Sequence, residues 1–202
     1  MSAWPQKIVM ASGNAGKLRE ISRLLSGLGI EVVAQSDLGV SDAIESGSSF
    51  AENSLIKARH AAVATGLPAI ADDSGLAVSA LGGAPGVYSA RYSGEGATDD
   101  SNIDKLLAGL DGVASRDAAF HCVATFVMPD SSPPLVAEGE WRGSILTTRQ
   151  GDGGFGYDPV FLDPESGLSA AQLTAEQKNA RSHRGQALQQ LVTRINQHFV
   201  GA

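Results

Sequence analysis

An α/β fold with a mixed sheet is predicted by two features of the sequence. The N-terminal third reads as strand, turn, helix, strand, an order that packs helices on a partly parallel sheet. In the second half, two long apolar segments face each other across the turn at Asp130 to Pro134, as strands of an added antiparallel hairpin do.

Each element has its own signal. Lys7 to Ala11 reads as a buried strand. From Lys17 to Leu28, apolar residues fall at Leu18, Ile21, Leu24, Leu25 and Leu28, the spacing of one helix face. Gly27 and Gly29 offer a stop, and Glu31 to Gln35 gives a second strand. Ser49 followed by Glu52 resembles a capping box. It opens a helix with an apolar stripe through Phe50, Ala51, Leu55, Ala58 and Ala62, running to about Thr65 and closing at Gly66. Ala69 to Asp73 is a third strand, followed by a Gly/Ser-rich loop from Gly82 to Gly96. Thr98 to about Leu110 is a helix with Asp99 and Asp100 in its first turn, where the helix dipole favours them. Ala118 to Met128 alternates Phe120, Cys122, Ala124, Phe126 and Met128 on one face, and Leu135 to Ile145 is its partner. The loop "GDGGFGYD" precedes the apolar Pro159 to Leu162, and a last helix carries Leu188, Leu191, Val192, Ile195 and Phe199.

The 202 residues suit one domain spanning 1–202, with room for two lobes. Apolar residues make up 43% and charged residues 18%, and the net charge is −7. A surface of that sign repels nucleic acid, so any polyanionic ligand must be held by local lysines and a metal. The single cysteine, Cys122, rules out an internal disulfide and reads as a small buried hydrophobe. Met1 to Pro5 lacks the basic-then-apolar order of a signal peptide. No apolar run approaches the ~18 residues of a membrane span. A cytoplasmic protein with no nucleic-acid or membrane partner is expected.

Four stretches carry candidate chemistry. In "SGNAGK" (12–17), a glycine-rich turn sits between a strand and a helix. The helix N-terminus presents backbone N–H groups and positive dipole, Ser12 and Asn14 add hydrogen bonds, and Lys17 adds charge, a set suited to phosphate. It is not a P-loop: Ala11 stands where the first glycine belongs, and Leu18 where the magnesium-binding hydroxyl belongs. Gly13 and Gly16 making a tight turn with Asn14 as cap is the bland alternative. In "ESGSSFAENSLIKARHA", Asn53 and Lys57 share a helix face at i and i+4, and Glu45 lies in the loop before that helix. In "AIADDSG", Asp72 and Asp73 end a strand and point to opposite faces. Asp73 shares its face with Ala69 and Ala71, the likelier cleft wall. In "GGFGYD" with "KNARSHRGQA" downstream, the glycines let the Phe155 ring approach a base and Asp158 is placed to accept a ring N–H. Ser182 can cap the last helix, setting His183 and Arg184 at its start with donors aimed outward. Together these are the parts of a nucleoside triphosphate site: a phosphate turn, lysines, oxygen ligands for a hard cation such as Mg²⁺, and a stacking ring.

On these motifs the chain closely resembles the inosine triphosphate pyrophosphatase (dITP/XTP pyrophosphatase) family. The resemblance rests on "SGNAGK" (12–17), "ESGSSFAENSLIKA" (45–58), "ADDSGL" (71–76), "GAPGVYSARYSG" (83–94), "GGFGYDPVF" (153–161) and "SHRGQAL" (182–188). It implies a homodimer of elongated subunits, each a mixed β-sheet flanked by helices, with the active-site cleft between two lobes. It also implies Mg²⁺-dependent hydrolysis of ITP, dITP and XTP to monophosphate and pyrophosphate. By matching motif, Ser12, Gly13, Asn14, Ala15, Gly16, Lys17 and Lys57 would contact phosphates. Glu45 and Asp73 would bind the metal, Asp73 also being the family's proposed proton acceptor. Ser74, Phe155, Gly156, Tyr157, Asp158, Lys178, His183 and Arg184 would hold the nucleoside. A metal-bound carboxylate is a poor base, so Asp73 is expected to orient a water. A non-catalytic nucleotide sensor would not need Glu45 and Asp73. A pyrophosphatase for modified pyrimidines on a related fold is a second alternative, against which "GGFGYD" and "SHR" argue through the resemblance alone.

Overall fold

The computed structural model describes residues 5–12, 17–18, 21–22, 25, 29–130 and 132–200. The strands form one six-stranded mixed sheet in the order β2-β1-β3-β4-β5-β6. They are β1 (Lys7–Met10), β2 (Glu31–Ala34), β3 (Ala69–Val78), β4 (Asp117–Val127), β5 (Leu135–Ile145) and β6 (Phe161–Leu162). β1 runs parallel to both neighbours, with Val9 opposite Val33 and Ala69, whereas β5 and β6 are antiparallel. The helices are α1 (Phe50–Thr65), α2 (Asp99–Gly109), α3 (Ala175–Arg181) and α4 (His183–Val200).

The chain divides into two compact units, the first of Met1–Asp73, Val123–Glu138 and Ala187–Ala202, the second of Ser74–Cys122 and Gly139–Gln186. The division falls inside β3, β4, β5 and α4. In the first unit, Val9, Ala11, Ala69, Ala71 and Val127 of the sheet pack against Ala58, Ala61 and Ala62 of α1. The expected helix after β1 is helical at Lys17, Leu18, Ile21, Ser22 and Leu25, and both Ile21 and Leu25 are fully buried. In the second unit, Leu76, Ile103, Leu106, Phe120, Trp141, Tyr157 and Phe161 meet in one core cluster.

Most expected elements form where the sequence places them, and the exceptions have physical causes. The strand expected to stop at Asp73 continues to Val78. Ser74 and Gly75 read locally as a turn, but sheet pairing overrides that preference. In α1 the buried positions are Asn53, Ser54, Ala58, Ala61 and Ala62, while Ala51 is exposed. The helix is therefore rotated toward two polar residues, whose partners lie far off in sequence. Ser54 shares a hydrogen bond with Thr125 of β4, and Asn53 reaches Asp73. The capping box is half made: Ser49 accepts from the Glu52 amide, but Glu52 takes its own bonds from Ser48. Gly66 closes α1 at φ 68°, a left-handed conformation that glycine adopts freely.

Candidate functional site

The alanines that join α1 to the sheet decide the first cluster. Side chains that small let the helix lie close to β3, so Asn53 and Lys57 reach the carboxylate one pleat beyond Ala71. Lys57 Nζ stands 2.9 Å from Asp73 Oδ1 and 2.8 Å from Glu45 Oε1. Asn53 Nδ2 donates to Asp73 Oδ2 at 3.2 Å, while its own Oδ1 accepts the Gly47 amide at 2.8 Å. That second bond ties the loop carrying Glu45 to the helix.

Burial pushes the Asp73 carboxyl above the usual carboxylate range, with Glu45 adding repulsion and Lys57 and Asn53 offsetting only part of it. Burial works against the Lys57 ammonium too, yet the two carboxylates outweigh it and hold its pKa above the ordinary value. Such a carboxylate, expensive to ionise and placed against a cation, is a candidate for chemistry.

Asp72 points the other way, as expected, and pairs with Lys17 at 2.9 Å. A cavity of about 210 Å³ is lined by Ser12, Lys17, Glu45, Lys57 and Asp72, together with Gln35 and Asp42. The expectation that the small-residue face forms the cavity wall is corrected here. Asp72 lines the cavity, whereas the face carrying Ala69, Ala71 and Asp73 is covered by α1. Asp73 enters the arrangement through Lys57. Gln35 and Asp42, joined by a 2.5 Å hydrogen bond, were not singled out from the sequence, where nothing in their spacing brings them together. Gly13, Asn14, Ala15 and Gly16 lie outside the described residues.

In the second unit, Phe155 is 52% exposed at the tip of the "GDGGFGYD" loop. Lys178 Nζ lies 4.9 Å and Arg184 Cζ 5.4 Å from its ring centroid, both at cation–π range. Asp158 is buried and accepts the Phe155 amide at 2.8 Å and the Lys178 ammonium, fixing ring and cation together. Gly154 makes this possible: at φ 75° a Cβ would strike the Asp158 carboxylate. Arg184 Nη2 donates to Ser74 Oγ at 3.0 Å.

Two expectations change here. His183 and Arg184 do follow Ser182, whose Oγ accepts the Gly185 amide, but both are buried, each 7% exposed, rather than aimed outward. The His183 ring stacks on Phe120 at 4.7 Å, within 9° of parallel. The Tyr157 ring belongs to the core, and its hydroxyl donates to the Ser89 carbonyl at 2.8 Å. Burial raises that hydroxyl's pKa. Gly156 offers its amide to Asp99 Oδ2 at 2.6 Å. The short helix α3, which carries Lys178, was missed because it buries none of its residues and so shows no apolar stripe.

The oxygen donors suit a hard divalent ion. Mg²⁺ takes one or two carboxylates and completes its shell with phosphate and water, and Glu45 and Asp73 converge on one point already occupied by a cation. Among the described residues no group of three or more His, Cys, Asp or Glu side chains is placed to hold a metal, so such an ion would need ligand oxygens as well.

Fold and clusters together define a mixed-sheet α/β protein with a lysine–carboxylate cluster in one unit and an aromatic ring flanked by cations in the other. Residues 8–194 match the sequence model of the Ham1 family, and the chain belongs to that family. It is 59% identical over 190 residues to a dITP/XTP pyrophosphatase of Shigella flexneri, covering 93% of this chain and 96% of that one. A dITP/XTP pyrophosphatase of Methylococcus capsulatus is 59% identical over 193 residues, covering 94% and 96%. Among solved structures, a HAM1 protein from Coxiella burnetii superposes with TM-score 0.90 at 48% identity, over 95% of this chain and 98% of that one. The Staphylococcus aureus Ham1 protein gives 0.88 at 39% identity, over 95% and 99%.

Proposed function

We propose that this chain hydrolyses deaminated purine nucleoside triphosphates, ITP, dITP and XTP, to the monophosphate and pyrophosphate, removing them from the nucleotide pool. The dITP/XTP pyrophosphatase relatives support the reading. The observation that carries it is the meeting of Glu45 and Asp73 on Lys57, beside a cavity that also holds Ser12 and Lys17.

The residues divide the work. Ser12 to Lys17 and Lys57 bind the phosphates, and Lys17 neutralises the charge that spreads over the departing pyrophosphate, the main catalytic term in phosphoryl chemistry. Asp73 orients the water that attacks the α-phosphorus in line. Glu45 and Asp73 would hold Mg²⁺, which supplies further neutralisation of the phosphate oxygens when bound. In the second unit, Phe155 stacks on the base, while His183 and Arg184 offer donors to the 6-oxo group of hypoxanthine or xanthine. Adenine presents an amino donor there and leaves them unpaired. Ser74, Asp158 and Lys178 hold those groups in place, and Gly156 and Tyr157 contribute backbone. The domain spans the chain.

Nucleic acid is not a partner on this reading, given the net charge of −7. Among the described residues no helix is long and apolar enough to cross a membrane. A homodimer follows from the resemblance, and a cytoplasmic setting agrees with a single, buried cysteine that can form no internal disulfide.

Pyrophosphate release with Mg²⁺ from ITP, XTP, ATP, GTP and dUTP, side by side, tests the proposal. ITP and XTP are expected to turn over far faster than the other three. No release from ITP, or equal rates from all five, overturns it.

A further inference from the structure

We infer that Lys57 occupies the cation position of the Glu45–Asp73 pair until a triphosphate draws it away, so that metal and nucleotide enter together. The inference rests on the function proposed above. Lys57 Nζ lies 2.8 Å from Glu45 Oε1 and 2.9 Å from Asp73 Oδ1. Mg²⁺ binds carboxylate oxygen at about 2.0–2.1 Å. An ion on those same two oxygens would therefore stand within about 4 Å of the ammonium, where two cations in a partly buried site repel strongly. One of them must leave.

The surroundings suit an exchange in which Lys57 moves and the carboxylates stay. Asn53 Nδ2 holds the other Asp73 oxygen and is itself fixed by Gly47, so Asp73 keeps its orientation when Lys57 departs. The Lys57 side chain hangs on a flexible four-carbon stem and lines the cavity that contains Ser12 and Lys17. A triphosphate there offers it a new anionic partner and frees two oxygens for the ion. Lys57 thus acts as a placeholder that keeps the partly buried carboxylates paired in the resting protein. Metal affinity without nucleotide is low, and by linkage each ligand raises affinity for the other.

The test is direct Mn²⁺ binding, followed by the electron paramagnetic resonance of the free ion, in nucleotide-free protein at pH 8. Lys57→Met, which keeps the stem and removes the charge, is expected to bind Mn²⁺ at least about tenfold more tightly than wild type. Lys57→Arg keeps the charge and is expected to show no gain. Adding Asp73→Asn to Lys57→Met is expected to abolish the gain, which locates the ion. Circular dichroism confirms folding, and Lys57→Gln replaces Lys57→Met should the latter not fold. A folded neutral variant that binds Mn²⁺ no more tightly than wild type overturns the inference, as does an equal gain in Lys57→Arg. Wild-type release of pyrophosphate from ITP is scored separately. Normal turnover with no gain in the neutral variant removes the placeholder alone, whereas a gain without any ITP turnover removes the proposed substrate and leaves the placeholder standing.

Discussion

Asp73 in the first unit and Asp163 in the second are both largely buried carboxylates with a cation at hydrogen-bond distance, yet their surroundings treat them oppositely. Asp163 accepts from the Ser166 amide and hydroxyl at 3.0 and 2.7 Å, from Trp141 Nε1 at 3.1 Å and from Arg181 Nη1 at 3.1 Å. Burial opposes its ionisation, but those donors outweigh it and hold the carboxyl below the usual range. Asp73 receives Lys57 and a longer bond from Asn53, and burial keeps its carboxyl above that range. A carboxylate needed only for the fold is given every donor it can use. Asp73, which on the proposed function holds a metal and positions a water, is left short of partners, and a saturated carboxylate would have no lone pair to offer.

The sharpest way to break the contrast is Asp73→Asn. Turnover of ITP is expected to fall by at least about 10³-fold, since a positioned group at the reacting centre is lost. Folding is expected to be retained, because the neutral amide no longer has to be ionised in a partly buried site. Pyrophosphate release and circular dichroism on the same preparation check both halves. Near-normal hydrolysis would remove Asp73 from the chemistry.

The contrast extends from chemistry to choice of base with Arg184→Ala. Arg184 is buried, bonded to Ser74 and set against Phe155, so its donors are held rather than mobile. The preference for ITP over ATP, measured as a ratio of kcat/KM, is expected to drop by about 10-fold or more, the equivalent of one unpaired buried donor. An unchanged ratio would assign discrimination to other residues.

How much of this was legible in the sequence differs between the two carboxylates. Asp73 was reachable: strand alternation separated it from Asp72, and the i, i+4 spacing put Asn53 and Lys57 on one helix face. Both are local rules, and the structure obeys them. The strand's continuation past Asp73 was hidden, because only pairing with distant strands outweighs the turn preference of Ser74–Gly75. Asp163 drew no attention at all. Its partners come from β5, the loop after β6 and α3, separations of 3 to 22 residues that no periodicity connects. The burial of His183 and Arg184 was hidden for the same reason: their position after a capping serine was visible, but the Phe120 ring and Ser74 that cover them lie 63 and 110 residues away.

Asp163→Asn isolates the structural half of the comparison and carries the smallest effect on function. At neutral pH the variant is expected to be less stable by about 1–3 kcal/mol, since Arg181 loses a charged partner and Ser166 a strong acceptor. The pH dependence has a fixed sign. A carboxyl whose folded pKa lies below its unfolded value contributes stability that is present above the unfolded value, about 3.9, and is lost as pH falls through the folded one. Chemical denaturation of both proteins from pH 7 down to pH 3 should therefore show a gap that is constant at the upper end. It should narrow below about pH 4, as the wild-type carboxyl takes up a proton and comes to resemble the amide. ITP turnover at neutral pH, well below the melting temperature, should stay within about twofold of wild type, because Asp163 contacts none of the residues assigned to substrate. A gap independent of pH would mean that Asp163 acts through shape alone. A large loss of turnover would tie its network to Lys178 and Arg184 through α3 and the start of α4, and the division between a satisfied and an unsatisfied carboxylate would no longer separate fold from function.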